Sequence, residues 1–75
     1  MENHLDSILV FATNIKTEPD RQKVSSILDI HSEIHEWNVD QEDIDCVLRI
    51  VSQTLSENQI INIIGSQNFE CIPLE

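Results

Sequence analysis

Two helix starts, Thr17-Glu18-Pro19-Asp20 and Ser56-Glu57-Asn58-Gln59, divide this chain into similar halves and constrain its fold more than any other feature. In each, a hydroxyl at the N-cap can accept the third helical N–H while the side chain three residues on reaches back to the cap, an arrangement worth on the order of 1 kcal/mol. Acids in the first turn suit the positive end of the helix dipole, and Pro19 falls where a missing N–H is no loss. Before the first start lies SILVFATN, residues 7 to 14, too short for a helix and rich enough in β-branched and aromatic residues to predict a strand. After it, Val24, Ile27, Leu28 and His31 recur at the i, i+3, i+4, i+7 spacing of one buried face, which predicts a helix to about residue 32.

Trp37 and Val39 alternate with Glu36, Asn38 and Asp40, so residues 34 to 40 read as a half-buried strand. A polar turn from Gln41 to Asp45 leads into a third strand, residues 46 to 51, in which Cys46, Leu48 and Ile50 alternate with Val47, Arg49 and Val51. The second helix carries Ile60, Ile61, Ile63 and Ile64 and is expected to end near Gln67. Asn68 tolerates the left-handed position just past a helix, and Phe69 can close over that end. Pro73 suits residues 70 to 74 to an edge strand. The βαβ unit thus occurs twice, in residues 7 to 40 and 46 to 74. With right-handed crossovers this order implies an α+β, ferredoxin-like βαββαβ sandwich, a four-stranded antiparallel sheet with both helices on one face. The reading is one domain over residues 1 to 75, with residues 1 to 6, His4 among them, loose.

Fourteen acidic residues against four basic ones give a formal charge of −10, the wrong sign for gripping phosphates, so neither nucleic acid nor an anionic membrane is an expected partner. The first residues lack the basic flank and sustained apolar run of a signal peptide, and the expected location is the cytoplasm. Cys46 and Cys71 have no CxxC spacing and read as separate thiols, about 10 Å apart if the first strand lies between theirs. No nucleophile stands beside a base in the pattern, so no enzyme activity and no cofactor are expected.

Length, element order and several positions resemble the heavy-metal-associated (HMA) domain, the fold of small copper chaperones and of metal-binding modules in metal-pumping ATPases. The likeness rests on Val24 and Leu28 in the first helix, on Trp37-Asn38-Val39-Asp40 like the usual Val-x-Val-Asp, and on Asn68-Phe69-Glu70 like Gly-Tyr-Glu. Where that family carries Met-x-Cys-x-x-Cys, this chain has Ile15-Lys16-Thr17-Glu18-Pro19-Asp20, with Thr17 and Asp20 in place of the cysteines. Thiolates select Cu(I) and these residues do not, so family-style copper or zinc transfer is not expected. Thr17 and Asp20 read as a helix cap, and Glu18 or Asp20 with a ligand from a partner would at most make a weak metal carrier.

The remaining candidates are surface features. His31 and His35 would share a zinc-binding face only on one helix, and the strand starting at Ile34 parts them. The acidic turn Asp40 to Asp45 lacks the glycine and the final glutamate of an EF-hand and reads as a solvated hairpin tip. If Ile8, Val10 and Ala12 face the helices, as the family pattern implies, then Leu9, Phe11, Val47 and Val51 flank Arg49 on an open sheet face, with Arg49 stacked on Phe11. The expected function is a non-enzymatic protein-interaction module, a degenerate HMA-like domain that binds a protein partner or a second copy through that face. The alternatives are a weak metal carrier and an ACT-type small-ligand regulatory domain.

Overall fold

The computed structural model describes residues 7–74. In chain order it contains β1 (Ser7–Thr13), α1 (Glu18–Leu28), β2 (Glu36–Asp40), β3 (Val47–Ser52), α2 (Glu57–Gly65) and β4 (Cys71–Pro73). The strands form one sheet in the order β2-β3-β1-β4 with every neighbouring pair antiparallel, so this is the expected ferredoxin-like topology with Pro73 on an edge. The expected looseness of residues 1 to 6, and His4 with it, lies outside the described residues.

Both helices begin as their sequences require. The Thr17 hydroxyl accepts the Asp20 N–H at 3.2 Å, and Asp20 Oδ2 accepts the Thr17 N–H at 3.3 Å. Ser56 Oγ accepts the Gln59 N–H at 3.3 Å, and Gln59 Oε1 accepts the Ser56 N–H at 2.8 Å. Leu55 just before the second cap and Ile60 in its first turn belong to the same core cluster, at the positions of a hydrophobic staple. The end of α2 is also as expected. Asn68 takes φ 69°, the Phe69 N–H reaches the Ile64 carbonyl at 3.4 Å, and the Asn68 N–H reaches that of Gly65 at 2.9 Å. These are the two bonds of a Schellman cap, and half-buried Phe69 packs against the core beyond it.

Helix α1 departs from expectation, ending at Leu28 rather than near residue 32. The Asp29 carboxylate accepts from Trp37 Nε1 and from the Ser25 hydroxyl, both at 2.7 Å, and ties the helix end to β2. The chain then turns through bonds from the His31 N–H to the Leu28 carbonyl and from the Ile34 N–H to that of His31. His31 stays half-buried in this turn, which is why the helical period outlasts the helix.

One cluster joins Phe11, Leu48 and Ile50 of the sheet to Val24 and Leu28 of α1 and Ile60 and Ile64 of α2, so both helices cover the same face. Burial on this scale stabilises by roughly 1.5–3 kcal/mol per large apolar side chain, the driving force for so small a domain.

Candidate functional site

Among the described residues no helix lies on the opposite face of the sheet, and strand register fixes which residues it displays. Directly paired residues of antiparallel strands project on the same side. Phe11 pairs with Leu48 and Leu9 with Ile50, so Leu9 and Phe11 face the helices; Phe11 is wholly buried and Leu9 packs against the core. This corrects the placing of both on the open face, and with it the stacking of Arg49 on Phe11. Rows 8/10/12 and 9/11/13 are both largely apolar, and the row that carries Phe11, the largest side chain of the strand, is the one that lies under the helices.

The open face is accordingly built from Ile8, Val10 and Ala12 of β1, with Val51 opposite Ile8, Arg49 opposite Val10 and Ile72 opposite Ala12. Val47, Arg49 and Val51 stand on it as expected. On β2, Glu36, Asn38 and Asp40 continue the rows as partners of Val51, Arg49 and Val47, giving the face a polar, largely acidic border. Ile8 is 63% exposed and Ile72 59% exposed, values that mark an apolar strip left to water.

Beside Ala12 and Ile72, a depression of about 240 Å³ opens at one end of the strip, lined also by Thr13, Asn14, Lys16, Ile44, Asp45 and Glu70. Drug-sized ligands occupy roughly 300–1,000 Å³ and are mostly enclosed, so this hollow is scaled to a single side chain. Its walls are held by backbone bonds: the Glu70 N–H donates to Asn14 Oδ1 at 2.8 Å, the Asp45 N–H to Asp43 Oδ1 at 2.8 Å, and the Thr13 N–H to the Asp45 carbonyl at 2.9 Å. Nothing in the sequence pattern gathers these residues; the β2–β3 turn and the approach to β4 meet only once the sheet forms.

The loop between β1 and α1, where HMA domains carry their thiolates, is occupied by internal bonds. Asp20 Oδ2 accepts from the N–H groups of Lys16 and Thr17 at 3.3 Å each, and Gln41 Nε2 donates to the carbonyls of Ile15 at 3.3 Å and Thr17 at 2.8 Å. Partial desolvation works to raise the Asp20 carboxyl, but the bonds from Thr17 and Lys16 and the charge of Lys23 outweigh it and leave it lowered from the ordinary aspartate value. Glu18 is exposed on the first turn of α1. A hydroxyl and a committed carboxylate do not fit a soft metal. Among the described residues no three His, Cys, Asp or Glu side chains form a group able to hold a metal ion.

The cysteines are both free. Cys46 is buried and precedes β3 instead of starting it, at φ 45°, with its carbonyl accepting the Thr13 hydroxyl at 2.6 Å. Cys71 pairs with Thr13 on β4, and burial pushes its thiol up to about 12, far from the thiolate a metal or a redox partner requires. His31 Nδ1 accepts the Glu33 N–H at 3.2 Å, while His35 is exposed and donates its backbone N–H to Val51.

No family model matches the chain, and no curated protein matches its sequence. Among solved structures, the apo form of the HMA domain of a copper chaperone for superoxide dismutase superposes with a TM-score of 0.78. That match covers 100% of this chain and 76% of the other at 12% identity. The chain has an HMA-like fold. At this identity the likeness is one of architecture, and function rests on the residues just described. No helix among the described residues is long and apolar enough to cross a membrane.

Proposed function

We propose that the chain is a non-enzymatic protein-interaction module, an HMA-like domain that has lost the thiolate site and works through the open face of its sheet. The observation that carries this reading is the uncovered apolar strip of Ile8, Val10, Ala12, Val51 and Ile72, set in a chain whose other large apolar residues are mostly packed under two helices. An apolar strip rimmed by polar groups is the usual form of a protein-binding surface. The β1–α1 loop supports the same reading, because Thr17 and Asp20 satisfy each other and the loop's carbonyls are clasped by Gln41. Such a module would act in the cytoplasm, as its two unbridged cysteines suit.

An amide NMR titration of the reduced protein with Cu(I), Zn²⁺ and Ca²⁺, together with a relaxation-based tumbling time, tests the reading. No saturable shift at residues 15 to 21 is expected. Saturable shifts there would restore metal handling and overturn the proposal. Val10→Asp, which places a charge on the strip without entering the core, is expected to abolish whatever association the face supports and to leave the fold intact.

A further inference from the structure

The depression at the end of the strip adds a statement about the partner, which rests on the open-face reading above. Ala12 and Ile72 belong to both, so a surface docked on the strip extends over the hollow. The hollow has aliphatic walls, Ile72 and the 93% exposed Ile44, and two carboxylates, Asp45 and Glu70, against one cation, Lys16. Aliphatic walls with acidic ends match a long basic side chain, whose methylenes lie along apolar surface while its charged head reaches the oxygens. The segments bearing both carboxylates are pinned by backbone bonds, so little order has to be imposed when that head arrives.

The same charges argue against a second copy. In an isologous pair the patch meets itself, which sets the acidic border of one chain of formal charge −10 beside another. Of the four basic residues, Arg21 lies over the Trp37 ring at 5.4 Å and Lys23 over the Phe69 ring at 5.7 Å, on the helix side, leaving Arg49 and Lys16 to offset the carboxylates around the strip. We infer that the open face docks a different protein, apolar at its centre and basic at its rim, which seats an arginine or lysine between Asp45 and Glu70 beside Ile44 and Ile72.

The probe is a synthetic β-hairpin peptide with valines on one face and an arginine at the end of that face, alongside its counterpart with glutamate for arginine. Each is titrated into the ¹⁵N-labelled full chain. The arginine peptide is expected to shift the amides of Val10, Ala12, Val51 and Ile72. Asp45→Asn combined with Glu70→Gln should weaken it about fivefold, the scale of exposed ion pairs, and Lys16→Gln should tighten it by a similar factor. Lys23→Gln makes the same charge change on the helix side and should leave affinity unaltered. Equal binding of the glutamate peptide, or indifference to the double substitution, would overturn the basic partner while the docking face stands. Sedimentation that shows a dimer strengthened by salt and abolished by Val10→Asp would assign the face to a second copy and likewise overturn it. Absence of shifts on the face with either peptide would sink both this inference and the reading beneath it.

Discussion

Along β1 the two faces of the sheet are made from almost the same kinds of residue and differ in what covers them. On one, Phe11, Leu48 and Ile50 lie under Val24, Leu28, Ile60 and Ile64; on the other, Ile8 and Ile72 are exposed and Val10 and Val51 half-buried. A strand such as β1, apolar on both sides, can serve a core and a contact surface at once, and register alone decides which row does which. Only on the covered face does an apolar side chain contribute its full burial to stability.

The sharpest way to break this contrast is to truncate one residue from each row. Phe11→Ala is expected to lose about 3–5 kcal/mol in chemical denaturation, whereas Ile8→Ala, one row over, should stay within about 0.5 kcal/mol. Similar losses at the two positions would mean that the faces are exchanged. Next in size comes Thr13, at the inner end of β1, where the hydroxyl donates to the Cys46 carbonyl and accepts the Ile15 N–H. Thr13→Val strands both buried groups and should lose about 1–3 kcal/mol by the same measurement.

The helix caps support the covered face from its edges, and Thr17→Ala and Ser56→Ala should each cost about 1 kcal/mol, read as a drop in thermal midpoint. The smallest effect is an acid one. Bonds from Trp37 and then Ser25, and after them the charge of Arg21, hold the Asp29 carboxyl lower than an ordinary aspartate. A carboxyl depressed on folding adds stability above its unfolded value that is lost as pH falls through its folded one. Stability should therefore decline below about pH 4, and Asp29→Asn should flatten part of that decline in a pH series of denaturation midpoints.

Much of the fold was legible because local chemistry and global topology agree. Thr17 with Asp20, Ser56 with Gln59, and Asn68 are local devices whose partners lie within a few residues, and each does in the structure what its type and spacing imply. Features that depend on a distant strand were not legible. The face presented by β1 follows from pairing Phe11 with Leu48, a relation no local pattern encodes when both rows are apolar. The end of α1 follows from Asp29 meeting Trp37, and the clasp of Gln41 on the β1–α1 loop spans two elements. Of the open-face residues, Val47, Arg49 and Val51 could be read from alternation in β3, while Ile72, Ile44 and the carboxylates beside them come together only through β4 and the hairpin tip.

The capping box at Thr17 and Asp20 also bears on how such a loop could change ligands over time. Replacing both residues with cysteine would supply the thiolate pair and in the same step delete the side-chain hydrogen bonds that cap α1. Thiolates bound to a metal could then fix the loop in place of the cap, so the helix start would depend on ligand concentration rather than on sequence alone. A chain capped as this one is starts its first helix with its own side chains, so that start is written into the sequence.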